Sequence, residues 1–308
     1  MSEAQKKTSI GGQAVIEGVM MRGPGRSALA VRLPDGRIDV ETWENKNGRA
    51  WYKKTPFIRG IFNLIDSLRE GYRCLMKSAG KSGMEEEEPS RFDRWLEKTF
   101  GDKLMKVLSG VSMVLGVVLA LGLFIIAPTY AVKGLSLLVP LGGWATVIEG
   151  VLKIAIFIAY MALVSRMPDI RRVFEYHGAE HKTIACYEAG LELTPENAAR
   201  QTRFHPRCGT SFIFLVLIIS ILVNSFLSWE SVLLRVVCKV LLLPVVMGIT
   251  YEIIKLAGRY TNVCTRALSA PGLWLQRLTT REPDFAQLEV AIASVKPVLP
   301  REDEDDRW

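Results

Sequence analysis

Histidine is scarce in this chain: its 308 residues include only three, His177, His181 and His205. The five cysteines, Cys74, Cys186, Cys208, Cys238 and Cys264, are odd in number, irregularly spaced and without a C-x-x-C. That excludes a disulfide framework as the organising principle. The phosphate-loop spacing G-x-x-x-x-G-K-[ST] is missing, so Gly11, Gly12 and the glycines from Gly18 to Gly25 give no nucleotide site. No stretch interleaves aromatic side chains with a long basic run. Nucleic acid is therefore not an expected partner, although the net charge is +7. The polar N-terminus is not followed by a short apolar region with a small-residue cleavage site. No cleavable signal peptide is expected, and the first span serves as its own insertion signal.

What the chain does have is long apolar runs separated by charged segments. Four of them approach the roughly 20 residues that cross a bilayer. They run from about Val107 to Tyr130, from Trp144 (or Leu135) to Ser165, from Ser211 to Leu227, and from Val240 to Ala257. The last contains Pro244 and Gly248, both tolerated in membrane helices. Lys and Arg crowd the segment before the first run, the segment 166–210 and the segment after Ala257, whereas only Lys133 lies between the first two runs. The asymmetry predicts a multi-pass protein of the plasma membrane with both termini and residues 166–210 in the cytoplasm. Arg235 and Lys239 oppose that orientation and are read as snorkelling from the outer interface. Glu149, with Lys153 four residues on, reads as an interfacial ion pair.

The expected fold is mainly α: a polytopic membrane protein with about four transmembrane helices, a small N-terminal β-containing soluble region and amphipathic interfacial helices. Residues 1–82 form the soluble α+β region. A hairpin is expected there, Ser27–Leu33 and Arg37–Trp43 flanking Pro34-Asp35-Gly36. An amphipathic helix starts at Thr55-Pro56 and carries Ile58, Ile61, Phe62, Ile65, Leu68 and Tyr72. Residues 83–106 hold the acidic linker Glu85–Glu88 and a surface helix marked by Phe92, Trp95, Leu96 and Phe100. Transmembrane helices occupy 107–165 and 211–258, with a helical hairpin, 166–210, between them. Residues 259–308 contain an interfacial segment around Leu273–Leu278, a helix with capping-box spacing at Thr279–Glu282, and a charged tail.

All three imidazoles fall in that hairpin, in His177-Gly178-Ala179-Glu180-His181 and in His205-Pro206-Arg207-Cys208. Positions i and i+4 share a helix face, so His177 and His181 can hold one ion with Glu180 beside them to handle a proton. This is the order of residues in inverted zinc-protease sites. Three readings remain open: histidines that only pack; a closed structural zinc site of His177, His181, His205 and Cys208; and a catalytic site with three protein ligands, zinc as the expected metal and Glu180 as general base. Glu252, at the end of the last span, His205 and Cys208 are the candidates for the third ligand.

Several segments together resemble the DUF1385 (YqhQ-like) family of bacterial membrane proteins. They are Gly11–Arg22, Arg171–Thr183, His205–Phe212, Tyr251-Glu252 and Leu278–Thr280. The resemblance implies a metal-dependent enzyme with its site at His177, Glu180 and His181, with His205 and Cys208 as further members. It also draws Gln13, Glu17 and Arg22 toward the site and supplies no substrate. The expectation is a cytoplasm-facing, membrane-embedded zinc-dependent hydrolase of protease or peptidase type, its partners being membrane lipids and a protein or peptide substrate. The rival is a non-catalytic membrane scaffold or regulator with a structural metal or histidine cluster. A transporter ranks third, because the first and third spans offer almost no polar groups at mid-membrane depth.

Overall fold

A computed structural model describes residues 7–45, 55–83, 110–228, 230–259, 262–301 and 304. The acidic linker, the surface helix expected at Phe92–Phe100 and most of the charged tail lie outside these residues. The chain divides into two compact units, one of Met1–Met84, Met161–Val216 and Pro244–Trp308, the other of Glu85–Tyr160 and Leu217–Leu243.

Four strands, β1 (Gly11–Val15), β2 (Gly18–Arg22), β3 (Arg26–Arg32) and β4 (Ile38–Glu44), form an antiparallel meander in the order β1-β2-β3-β4. The β3–β4 hairpin is the expected one, and Gly36 supplies the positive φ of +86° that its turn needs. The β1–β2 hairpin was hidden in the glycine-rich run. Its turn residue Glu17 has a φ of 50°, unusual for a residue with a side chain.

The described helices are α1 (Ile58–Lys81), α2 (Gly110–Leu138), α3 (Ala145–Val164), α4 (Pro168–Glu188), α5 (Pro195–Ala199), α6 (Gly209–Asn224), α7 (Val232–Arg259), α8 (Val263–Thr279) and α9 (Phe285–Val295). The hairpin of α4 and α5 matches its sequence signals. Pro168 opens α4, Gly190 follows it at φ +67°, and Thr194 caps α5 by accepting the Asn197 N–H at 3.3 Å. The capping box expected at Thr279–Glu282 lies instead at Asp284 and Gln287, whose side chains and backbones cap each other reciprocally at the start of α9. Thr280 still belongs to the end of α8, its N–H bonding the Gln276 carbonyl at 2.9 Å.

In the first unit the pleat alternation sorts the strands into two buried faces. Val19, Met21, Ala28 and Ala30 pack with Tyr176, Ala179 and Ile184 of α4 and with Leu288, Ala291, Ile292 and Val295 of α9. Val15, Met20, Leu29 and Val31 pack with Cys74 of α1. The sheet is thus a central layer, with α1 on one side and α4 and α9 on the other.

Three helical segments, Gly110–Leu138, Gly142–Val164 and Val232–Leu256, are long and apolar enough to cross a membrane. The third expected span, α6, is apolar but has only 16 residues. Leu135 closes the first span rather than opening the second. A π-helical segment at Gly122–Ile126 precedes Pro128, which has no N–H to donate into an α-helical ladder.

The last span starts at Val232, so Arg235 and Lys239 lie within it and do not snorkel at its edge. Both are buried in the second unit against Glu149 of α3. Lys239 bonds the Glu149 carboxylate and the Thr129 hydroxyl, the latter at 2.8 Å, and Arg235 lies 3.3 Å from the other carboxylate oxygen. Lys153, also buried, keeps an electrostatic interaction with Glu149, and the hydrogen-bonded pairing is this interhelical one. One carboxylate can meet two cations an α-turn apart on α7, which a partner on its own helix cannot match.

Removing the Glu149 charge should therefore be costly. Glu149→Gln is expected to destabilise the protein by about 3–5 kcal/mol, because two buried cations lose their carboxylate. Glu289→Gln, which breaks only an exposed contact to Arg32, should stay within about 0.5 kcal/mol. Thermal melting in detergent compares the two, and equal melting temperatures would contradict the role given to Glu149.

Candidate metal centre

The α4 face carrying His177, Glu180 and His181 is set by what lies against it. Gly178 is needed because a Cβ there would lie 1.9 Å from the Arg281 carbonyl oxygen. This close approach lets Arg281 donate its N–H to the Phe174 carbonyl at 2.8 Å, so that residues 279–281 run along α4. The Thr279 carbonyl then sits 2.8 Å from His177 Nδ1. On the other side, Lys182 donates to the carbonyls of Ala199 and Gln201 at 2.9 and 2.8 Å and holds the loop after α5. That loop presents the Arg203 carbonyl 2.6 Å from His181 Nδ1. Each imidazole is thereby held at Nδ1 by a backbone carbonyl with its Nε2 directed inward, the orientation in which metal-ligating histidines are held.

Both Nε2 atoms converge on Cys208, which lies just before the start of α6. His177 Nε2 is 3.2 Å from Cys208 Sγ, and the donor atoms of His177, His181 and Cys208 all lie within 4.8 Å of one another. Gln276 of α8 holds the approach to Cys208. Its amide receives the His205 N–H at 2.8 Å and donates to the His205 carbonyl at 2.7 Å. The Thr210 N–H, in the first turn of α6, points at the sulfur at 3.5 Å, which favours a thiolate.

Charge follows this geometry. Burial alone would raise the Cys208 thiol, but the charges and hydrogen bonds of His177 and His181 outweigh it and hold the thiol well below its ordinary range. Burial likewise disfavours an imidazolium at His177, yet the charge and hydrogen bond of Cys208 win and take it up to about 9. Glu180 is pushed upward by burial, with His177 and His181 opposing. Its carboxylate is bonded by the backbone of Gly12, and its Oε2 is buried with no hydrogen-bond partner among the described residues. Two oriented imidazoles, a thiolate and an orphaned carboxylate oxygen suit a divalent transition ion of the zinc type.

The other expected site residues are placed elsewhere. His205 is buried beside His181 at a ring-centroid distance of 5.6 Å, but its Nε2 receives Arg207 at 3.2 Å and lies 3.6 Å from Glu188. Glu188 also pairs with Arg207 and accepts the Thr8 N–H at 2.9 Å. A cavity of about 450 Å³ borders His205, Glu188 and Arg207, and its lining does not include the three convergent ligands. Glu252 lies outside the convergent group: it pairs with Arg59 through both oxygens and accepts the Phe57 N–H at 3.1 Å, which joins the start of α1 to α7. Glu17 pairs with Arg172 and bonds Tyr176 at 3.1 Å, fixing the β1–β2 turn to α4. Gln13 packs against Gly71 of α1, where a Cβ would lie 2.3 Å from its Oε1, and Arg22 is exposed at the end of β2. Gly12, Gly178, Lys182, Gln276 and the carbonyls of Arg203 and Thr279 were not foreseen. Only the glycines left a trace in the sequence, as small residues beside or within the motifs.

Gly12 yields a direct check. A Cβ there would lie 2.6 Å from the Met20 carbonyl and 3.0 Å from Glu180 Cδ, whereas at Gly11 it would meet nothing within 4 Å. Gly12→Ala is expected to cost about 1–3 kcal/mol and Gly11→Ala close to nothing. Indistinguishable melting of the two variants would contradict the contact between β1 and Glu180.

A family model described as "Protein of unknown function (DUF1385)" matches residues 55–301. The Bacillus subtilis (strain 168) protein described as "Uncharacterized protein YqhQ" is 35% identical over 302 residues, covering 97% of this chain and 95% of the relative. No solved structure matches. The extent of both similarities shows that this chain belongs to the DUF1385 family.

Proposed function

We propose that the protein is a membrane-embedded, metal-dependent hydrolase with its site on the cytoplasmic side and peptide bonds as its substrate class. His177, His181 and Cys208 are its metal ligands, zinc is the expected ion, and Glu180 is its general base. The reading rests on one observation: two imidazoles and a cysteine sulfur converge beside a buried carboxylate oxygen that no donor among the described residues satisfies. A structural zinc site would take four protein ligands. Among the described residues the convergent group has three, which supports an open position rather than a staple.

An ion held there supplies Lewis acidity toward a carbonyl and toward water. Glu180 Oε2 is oriented to take the proton of the attacking water, and burial has already raised its affinity for that proton. Gly12 holds the carboxylate from the edge strand β1, and the Thr279 and Arg203 carbonyls keep the two imidazoles in one tautomer.

Four membrane crossings are the reading that suits the chain path. The sheet, α4 and α9 share one core, so an even number of crossings separates each from the next. α2 and α3 make two between the sheet and α4. The same parity between α4 and α9 requires α6 to cross together with α7, although its 16 residues reach only about 24 Å. The excess of Lys and Arg in 166–210 supports a cytoplasmic location for this core.

Glu180→Gln separates catalyst from staple. It is expected to keep the bound metal and the melting temperature of the wild type and to fail to complement a deletion strain, since an amide accepts no proton. A folded, metal-loaded Glu180→Gln protein that complements fully would refute the hydrolase.

A further inference from the structure

Helix α1 is amphipathic in an inverted sense. Its buried residues are the small ones, Gly60, Gly71, Cys74 and Ser78. Its large apolar side chains recur at helical spacing and face outward: Phe62, Ile65, Leu68, Tyr72, Leu75 and Met76 are all exposed, Leu68 to 64%. Arg59, Glu70, Arg73, Lys77 and Lys81 occupy a third face, where Lys77 and Lys81 reach Glu41 and Asp39 of β4. The apolar stripe covers about four turns, far more than scattered surface residues amount to.

The start of α1 is fixed in depth by α7. A Cβ on Gly248 would lie 2.9 Å from the Phe57 carbonyl oxygen, and one on Gly60 would lie 2.6 Å from Tyr251 Cβ. Asn63 bonds the Tyr251 hydroxyl at 2.8 Å, and Glu252 binds Arg59 and the Phe57 N–H. Gly248 lies roughly 12 Å along the axis from Leu256, where the apolar segment of α7 ends. The first turn of α1 is therefore packed on the part of α7 that is long and apolar enough to cross a membrane.

We infer that α1 is a lipid-docked helix: its outward stripe from Phe62 to Met76 is covered by acyl chains of the leaflet next to the candidate metal centre. The occupant is lipid because the stripe continues from a contact already at span depth. Tyr72 within the stripe and Arg69 beside Leu68 are residue types that interfacial helices hold at headgroup level. The small-residue face holds the sheet, so the helix also anchors the domain that carries the metal ligands. This inference does not depend on the metal or on catalysis.

Photocrosslinking tests it on the full chain in vesicles of phosphatidylethanolamine and phosphatidylglycerol. A benzophenone amino acid replaces Leu68 in one variant, Ile65 in a second and Lys77, on the polar face, in a third. Thermal melting shows which variants are folded, and either apolar position suffices. The expected result is a lipid-mass adduct at Leu68 or Ile65 and its loss at Lys77. Crosslinks to a second copy or to another protein at the apolar positions, no lipid adduct there, or equal adducts at Lys77 would each overturn the inference.

Discussion

An imidazole offers one nitrogen to an ion in a defined direction only when its other nitrogen is held, and in this protein the holders lie outside the helix that carries the histidines. The Thr279 and Arg203 carbonyls orient His177 and His181, and they reach α4 by different routes. Residues 279–281 can approach only because position 178 has no side chain. The loop at Arg203 is held by Lys182, one residue past the motif. The six residues from His177 to Lys182 therefore carry two of the proposed ligands, the proposed base, the close approach and much of the loop restraint, while α8 positions Cys208 through Gln276.

The same economy operates in the sheet. Gly12 gives the edge strand the space to contact Glu180, and Glu17 accepts a positive φ to turn the chain into β2 while pairing with Arg172 of α4. The N-terminal hairpin is thus part of the site's wall. Glu252, with the same charge as the proposed base, has the opposite role: paired to Arg59, it fastens α1 to α7. The two carboxylates differ in their partners: Glu252 is saturated by Arg59 and Phe57, and Glu180 keeps an oxygen with no hydrogen-bond partner among the described residues.

Local signals carried much of this into the sequence. Pro168, Gly190, Thr194 and the Pro34-Asp35-Gly36 turn mark boundaries that the fold keeps. The apolar runs mark the long helices, and the histidine spacing marks the shared face. Long-range pairing left little trace. Nothing in the periodicity of α1 distinguishes an inward from an outward apolar face, because both give the same 3.6-residue repeat. Arg235 and Lys239 look like span edges until Glu149 is seen opposite them. Cys208 reads in the sequence as a softer candidate than His205, three residues away, and the turn that separates them by side-chain direction depends on Gln276, more than sixty residues later.

The central claim is that His177, His181 and Cys208 form a metal site. Elemental analysis of detergent-purified protein, wild type beside His181→Ala, tests it most directly. The account predicts a transition metal in stoichiometric amount in the wild type and its loss in the variant, with both proteins otherwise folded. A metal-free wild type, or a variant that keeps the same metal content, would contradict it.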